Sequence, residues 1–170
     1  MTRDEIIAFI IQQEGGFVDN PADPGGATNM GITQHYLDNA RKVWPNLPVS
    51  VTDLTFSQVA SLYESDEWVT IHGDQLPPVI GLLVMDEAVN GGPGTAAKLL
   101  QEALGITADG VIGAATIAAA AASRAPQLAL EYAARRAVFY AKLEDNEAMF
   151  ELGWMRRLLT VYTRALAPGD

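Results

Sequence analysis

The segment 15–31 constrains the fold more than any other part of the chain. It reads Gly15-Gly16-Phe17-Val18-Asp19-Asn20-Pro21-Ala22-Asp23-Pro24-Gly25-Gly26-Ala27-Thr28-Asn29-Met30-Gly31. Glycine, proline, asparagine and aspartate at this density exclude a helix. They predict an ordered loop or a short irregular hairpin with Phe17-Val18 facing Asn29-Met30. Ahead of it, Thr2 and Glu5 have capping-box spacing, and Ile6, Ile7, Ile10 and Ile11 recur at helical intervals. Gly15-Gly16 stops that helix. Glu14 lies seven, four and three residues after Ile7, Ile10 and Ile11, which puts it on the last turn of the apolar face.

Past the loop the pattern is helical throughout. Thr33 opens a helix to about Val43, closed by Pro45 and Pro48. Thr55 and Gln58 form a second capping box and open a helix to about Trp68. Pro77-Pro78 begins a helix to about Asn90, and Pro93 begins another to Leu104. Helices follow over about 113–123, from Pro126, and over about 147–166. No segment sustains the alternation of a strand. The expectation is a mainly α chain with at most one small irregular hairpin. The loop at 69–77 marks the best internal boundary, dividing 1–76 from 77–170 within one compact unit.

Charge narrows the function. The 170 residues carry a formal net charge of −10. Residues 131–170 hold six basic and six acidic side chains, so the excess acid lies in 1–130. That excludes the clustered basic surface that nucleic acid requires. There is no cysteine, hence neither a disulfide nor a thiol nucleophile. The longest apolar stretches, near 79–85 and 111–122, are short of the roughly 20 residues of a membrane span. Met1-Thr2-Arg3-Asp4-Glu5 places acids where a Sec signal carries bases, so no such signal is expected.

Few catalytic constellations remain. His35 and His72 lack metal-ligand spacing, no GxSxG elbow occurs, and Gly91-Gly92-Pro93-Gly94 lacks the lysine of a phosphate loop. Carboxylates are left. Glycoside cleavage needs a proton donor at the leaving oxygen, and burial against apolar side chains keeps such a donor protonated. Glu14 has an isoleucine face behind it and, in front, two glycines that let a bulky polymer approach. Asp23 and Thr28, nine and fourteen residues later, could hold a water if the loop folds back. The plainer reading is a helix-end glutamate followed by an aspartate and a threonine that cap turn amides.

The string from Glu14 to Thr33 closely resembles the signature of glycoside hydrolase family 108, approximately EGGY-V-x-x-P-x-D-x-GG-x-T-x-x-GI. Phe17 stands where tyrosine is usual. Asp86-Glu87-Ala88-Val89-Asn90-Gly91-Gly92-Pro93-Gly94 through Leu100-Gln101, and Asp109-Gly110-Val111-Ile112-Gly113-Ala114-Ala115-Thr116, resemble the peptidoglycan-binding region that accompanies the family, with Ala114 replacing a common proline. Phe150-x-x-Gly153-Trp154-x-x-Arg157 is similar to the family's closing helix.

The resemblance implies a lysozyme-like helical fold and cleavage of the β-1,4 bond between N-acetylmuramic acid and N-acetylglucosamine. It makes Glu14 the general acid and Asp23 and Thr28 the organisers of the attacking water, although the spacing to Thr28 is slightly shorter than in phage-type lysozymes. It implies no metal or organic cofactor. The expected partner is the glycan strand of peptidoglycan, met by a monomer that a holin-type pore or a dedicated export route delivers to the wall. Gly15, Gly16 and Phe17 are expected to touch substrate. Asp86 and Asn90, on one helix face, either line the sugar groove or hydrogen-bond across helices. Trp68 either stacks on sugar or joins the core, where Trp44 and Trp154 are also expected. Asp109-Gly110 is either part of a glycan-binding motif or a turn that leads into a helix. Three rivals stay open: lytic transglycosylation, a non-catalytic wall-binding or secretion-accessory protein, and a chitinase.

Overall fold

A computed structural model of the chain describes residues 1–19, 26–143 and 148–167. Eight α-helices and one two-stranded hairpin are found among them. In order these are α1 (Arg3–Glu14), β1 (Thr28–Asn29), β2 (Ile32–Thr33), α2 (Gln34–Ala40), α3 (Phe56–Tyr63), α4 (Pro78–Gly91), α5 (Pro93–Leu104), α6 (Ala114–Ala122), α7 (Ala125–Ala141) and α8 (Ala148–Leu166). The mainly helical, lysozyme-like class is the observed one. No described helix is long and apolar enough to cross a membrane.

Backbone packing divides the chain into two compact units, Ile7–Ser65 and Met1–Ile6 with Asp66–Asp170. The helix starts follow from side-chain chemistry. At the head of α1 the Thr2 amide donates to Glu5 Oε2 (2.7 Å) and the Glu5 amide to Thr2 Oγ1 (3.3 Å). At α3 the Thr55 amide donates to Gln58 Oε1 (2.9 Å) and the Gln58 amide to Thr55 Oγ1 (3.3 Å). Ile6, Ile7, Ile10 and Ile11 are all buried, so α1 presents the apolar face its spacing predicts.

In the smaller unit, the β1–β2 hairpin turns through Met30 (φ +50) and Gly31 (φ +80). Two consecutive left-handed residues in a two-residue loop give a type I′ turn, whose twist matches the strands. Thr28 pairs with Thr33 and Asn29 with Ile32. Ile32 is buried, and Asn29 Nδ2 donates to the Val51 carbonyl at 2.8 Å, which ties the hairpin to the 3₁₀ turn Val51–Asp53. Val18 and Thr28 exchange two backbone hydrogen bonds of 2.8 Å. Val18 therefore bridges Thr28, and the antiparallel register sets Phe17 opposite Asn29, one residue away from the expected facing of Phe17-Val18 with Asn29-Met30.

In the larger unit α4 is central and packs on α5, α7 and α8. Ile80 through Ala88 are buried without a break, so this helix has no wet face between those residues. The Asp109-Gly110 motif is explained by Gln101, a buried amide on α5. Its Nε2 donates to Asp109 Oδ1 (2.7 Å), the Val111 carbonyl (2.9 Å) and Thr116 Oγ1 (3.2 Å), and its Oε1 accepts from the Gly110 amide (2.9 Å). One side chain thus fixes the turn and seats α6. The hydrogen bonds from Gln101 and from the Val111 amide hold the Asp109 carboxyl below the usual carboxylate range. Gln101→Leu keeps the volume but strips every one of those partners. It is expected to lower the unfolding free energy by about 2–4 kcal/mol, read from urea denaturation.

Candidate active site

Glu14 is the last residue of α1, and Gly15 after it takes φ +80, the left-handed C-terminal cap. Gly15 and Gly16 are both exposed, and a β-carbon added at either would meet no described atom within 4 Å. Backbone next to the carboxylate is therefore open to a large ligand. Phe17 (51% exposed) and Val18 (60%) continue this uncovered edge.

On its other side Glu14 is closely backed. A β-carbon at Gly31 would lie 2.8 Å from Glu14 Cγ and 3.2 Å from Glu14 Cβ, and would collide with the Tyr63 hydroxyl. Tyr63 is buried and donates to the Met30 carbonyl at 3.3 Å. The hairpin tip thus rests against the stem of Glu14 and the hydroxyl of Tyr63 at once, and only glycine fits there. Tyr63 is absent from the residues that the sequence singles out, and Gly31 enters there only as the glycine that closes the family pattern, with no role given. Nothing in the sequence signals a contact across 32 positions, and a tyrosine on the apolar face of α3 reads as ordinary core. Gly31→Ala costs at least about 1–2 kcal/mol from left-handed backbone alone. It must also push Glu14 or Tyr63 aside. Cleavage assays beside thermal melting should show activity falling further than the unfolded fraction accounts for.

Thr28 lies in the same unit, at the start of β1, with its backbone N–H and carbonyl both bonded to Val18 and with Thr33 opposite it in the hairpin. Asp23, the other expected water-organising residue, falls outside the described residues. Among the described residues no three His, Asp or Glu side chains cluster as a metal site. His35 Nε2 contacts the amide of Asn39 (3.2 Å) and His72 Nδ1 that of Gln75 (3.3 Å), both on the surface.

The residues expected to line sugar from the second half are placed differently. Asp86 is fully buried. Its Oδ2 meets Arg136 Nη1 at 2.6 Å, and its Oδ1 meets Arg157 Nη2 at 2.8 Å and Nε at 2.9 Å. Glu87, also fully buried, pairs through Oε2 with Arg136 Nε and accepts from the Tyr140 hydroxyl at 2.8 Å. Asn90 Nδ2 donates to that hydroxyl at 3.1 Å. Burial raises the Glu87 carboxyl above its ordinary value against the pull of Arg136, and pushes the Tyr140 phenol up to about 12. Asp86 thus has no surface to offer a glycan, and hydrogen bonding across helices is the role observed. Gly91 belongs to the same arrangement, because a β-carbon there would strike Glu87 Oε1.

Trp68 is likewise no sugar platform. It is 3% exposed, its ring fills the space left by Gly73 and Gly81, and its Nε1 donates to Asp74 Oδ1 at 3.1 Å. Trp154 is half-buried against Tyr140, ring centroids 5.3 Å apart. Trp44, expected in the core, is instead 43% exposed, because the turn Trp44–Leu47 carries it outward.

Comparison with known proteins gives these features their context. Residues 7–92 match the family profile described as Glycosyl hydrolase 108, and residues 95–159 match the one described as Predicted Peptidoglycan domain. The chain is similar to a solved structure titled "Structure of Brucella abortus SagA", with 36% identity and a TM-score of 0.81 over 96% of this chain and 93% of that one. A search of curated proteins finds no match. A helical glycoside hydrolase that acts on peptidoglycan is the class these findings define. Within that class, the chain belongs to the glycosyl hydrolase 108 family.

Proposed function

We propose that the chain is an N-acetylmuramidase that hydrolyses the β-1,4 bond between N-acetylmuramic acid and N-acetylglucosamine, with Glu14 as general acid. The observation that carries this reading is the setting of Glu14. Its carboxylate ends a helix, its stem is backed by Gly31 and Tyr63, and the backbone at Gly15-Gly16 beside it is uncovered. Glu14 gives its proton to the glycosidic oxygen as the bond from the sugar carbon breaks. Water adds to the cation-like carbon. Asp23 takes the proton that the water loses, and the Thr28 hydroxyl helps to hold the water. Gly15, Gly16 and Phe17 border the strand being cut.

Mass spectrometry of a digest of purified Gram-negative peptidoglycan tests this reading. Hydrolysis leaves reducing muramic ends, one water heavier than the anhydro ends that transglycosylation leaves. Anhydro products would replace the water-addition step. Products from plain N-acetylglucosamine polymers with none from peptidoglycan would make the enzyme a chitinase.

A further inference from the structure

On the far side of α3 from Tyr63, the smaller unit has an open groove of about 420 Å³. Helical spacing sets the sides. Ser57, Gln58 and Ser61 fall on one face of α3, and Tyr63 points opposite. The groove is therefore distinct from the Glu14 edge. We propose that it binds a neutral N-acetylated sugar of a glycan strand, as a second carbohydrate site in the same unit as Glu14.

The lining is built for such a ligand. Trp44, Pro45 and Leu47 supply an apolar wall, and Asn46, Gln58 and Ser61 supply amides and a hydroxyl. The wall is held in place. The Trp44 amide donates to the Ala40 carbonyl at 2.8 Å, and the Leu47 amide closes the turn on the Trp44 carbonyl at 3.1 Å. Pro45 fixes the first corner of that turn. An indole 43% exposed on a rigid turn is a stacking surface for the C–H face of a pyranose. Gln58 Oε1 is fixed by the Thr55 amide (2.9 Å) and hydroxyl (3.0 Å), which orients its Nε2 as a donor. Asn46 offers both a donor and an acceptor, matching an acetamido group.

The choice of a neutral ligand follows from charge. Among the described residues no ionisable side chain lines the groove, and the whole chain carries −10, so no described group there attracts an anionic polymer or balances a cationic one. The volume is at the lower end of small-ligand sites, enough for one or two sugar rings. This inference rests on the glycan-cleaving reading of the chain, but its test does not need cleavage.

The test uses the full chain carrying Glu14→Gln, so that no probe is consumed. The indole N–H resonances of Trp44, Trp68 and Trp154 are followed by NMR while β-1,4-linked tri-N-acetylglucosamine is added. The expected result is a saturable shift of the Trp44 signal at millimolar sugar, with the buried Trp68 signal still. Trp44→Ala should raise the dissociation constant for the trisaccharide at least fivefold, and Trp44→Phe should recover part of the loss. Cellotriose, which lacks acetamido groups, should bind more weakly. A Trp44 signal unmoved by the trisaccharide would overturn the site, and equal binding of cellotriose would overturn its acetamido specificity. Should Glu14→Gln still cut peptidoglycan, the catalytic assignment fails while the Trp44 shift continues to report on the groove by itself.

Discussion

Glu14→Gln should abolish cleavage of purified peptidoglycan and leave the fold intact. The substitution keeps the size of the side chain and its packing against Gly31, and it replaces the carboxyl that would give the proton by an amide that cannot. Loss of a general acid costs on the order of a hundredfold to ten-thousandfold in turnover. The drop is read as release of reducing ends from sacculi, with circular dichroism to show that α1 and its neighbours persist. Clearing at the wild-type rate by a folded Glu14→Gln protein would end the assignment. It would leave the non-catalytic wall-binding reading in its place.

Arg136→Met is expected to be the most damaging single change to stability. The guanidinium is fully buried between Asp86 and Glu87. Burial alone would weaken its charge, yet the two carboxylates outweigh that and hold it protonated more firmly than usual. With Arg157 also on Asp86, the cluster sets two cations against two carboxylates. Taking Arg136 away leaves Glu87 buried without its cation and Asp86 with one partner. Breaking such a buried pair from one side costs about 3–5 kcal/mol, a large share of the roughly 5–15 kcal/mol that stabilises an ordinary domain. Urea denaturation at neutral pH should show it, or the protein should fail to accumulate in folded form.

The sign of the pH dependence follows from Glu87. Its folded value is raised, so the fold favours the protonated acid. That contribution is fully present below the ordinary value of 4.5 and is lost as pH rises through the higher folded one. Glu87→Gln, which mimics the protonated form, should flatten this decline in a series of denaturation curves.

The parts of the molecule legible in the sequence are those set by neighbours in the chain. Both capping boxes, the isoleucine stripe of α1, its glycine stop and the proline starts of α4 and α5 are local, and each forms as its spacing predicts. The place of Glu14 at the end of α1 was open to the same reasoning. What stayed hidden needs partners far apart. Tyr63 reaches Met30 across 33 positions, and Arg157 reaches Asp86 across 71. The tryptophans show the same limit. Trp68 is enclosed because Gly73 and Gly81 happen to stand beside its ring, and Trp44 is uncovered because Pro45 turns the chain outward. Neither outcome can be read from the residue type.

The Met30–Gly31 turn leaves room for improvement by protein engineering. Gly31 has no alternative, but Met30 adopts left-handed backbone at φ +50 with a side chain that disfavours it. Asparagine is the residue such a turn prefers at that corner. Met30→Asn keeps the carbonyl that Tyr63 binds and relieves about 1 kcal/mol of conformational cost. The hairpin behind Glu14 would then tolerate heat better without any change in the chemistry it supports, and a higher melting temperature at unchanged turnover would show it.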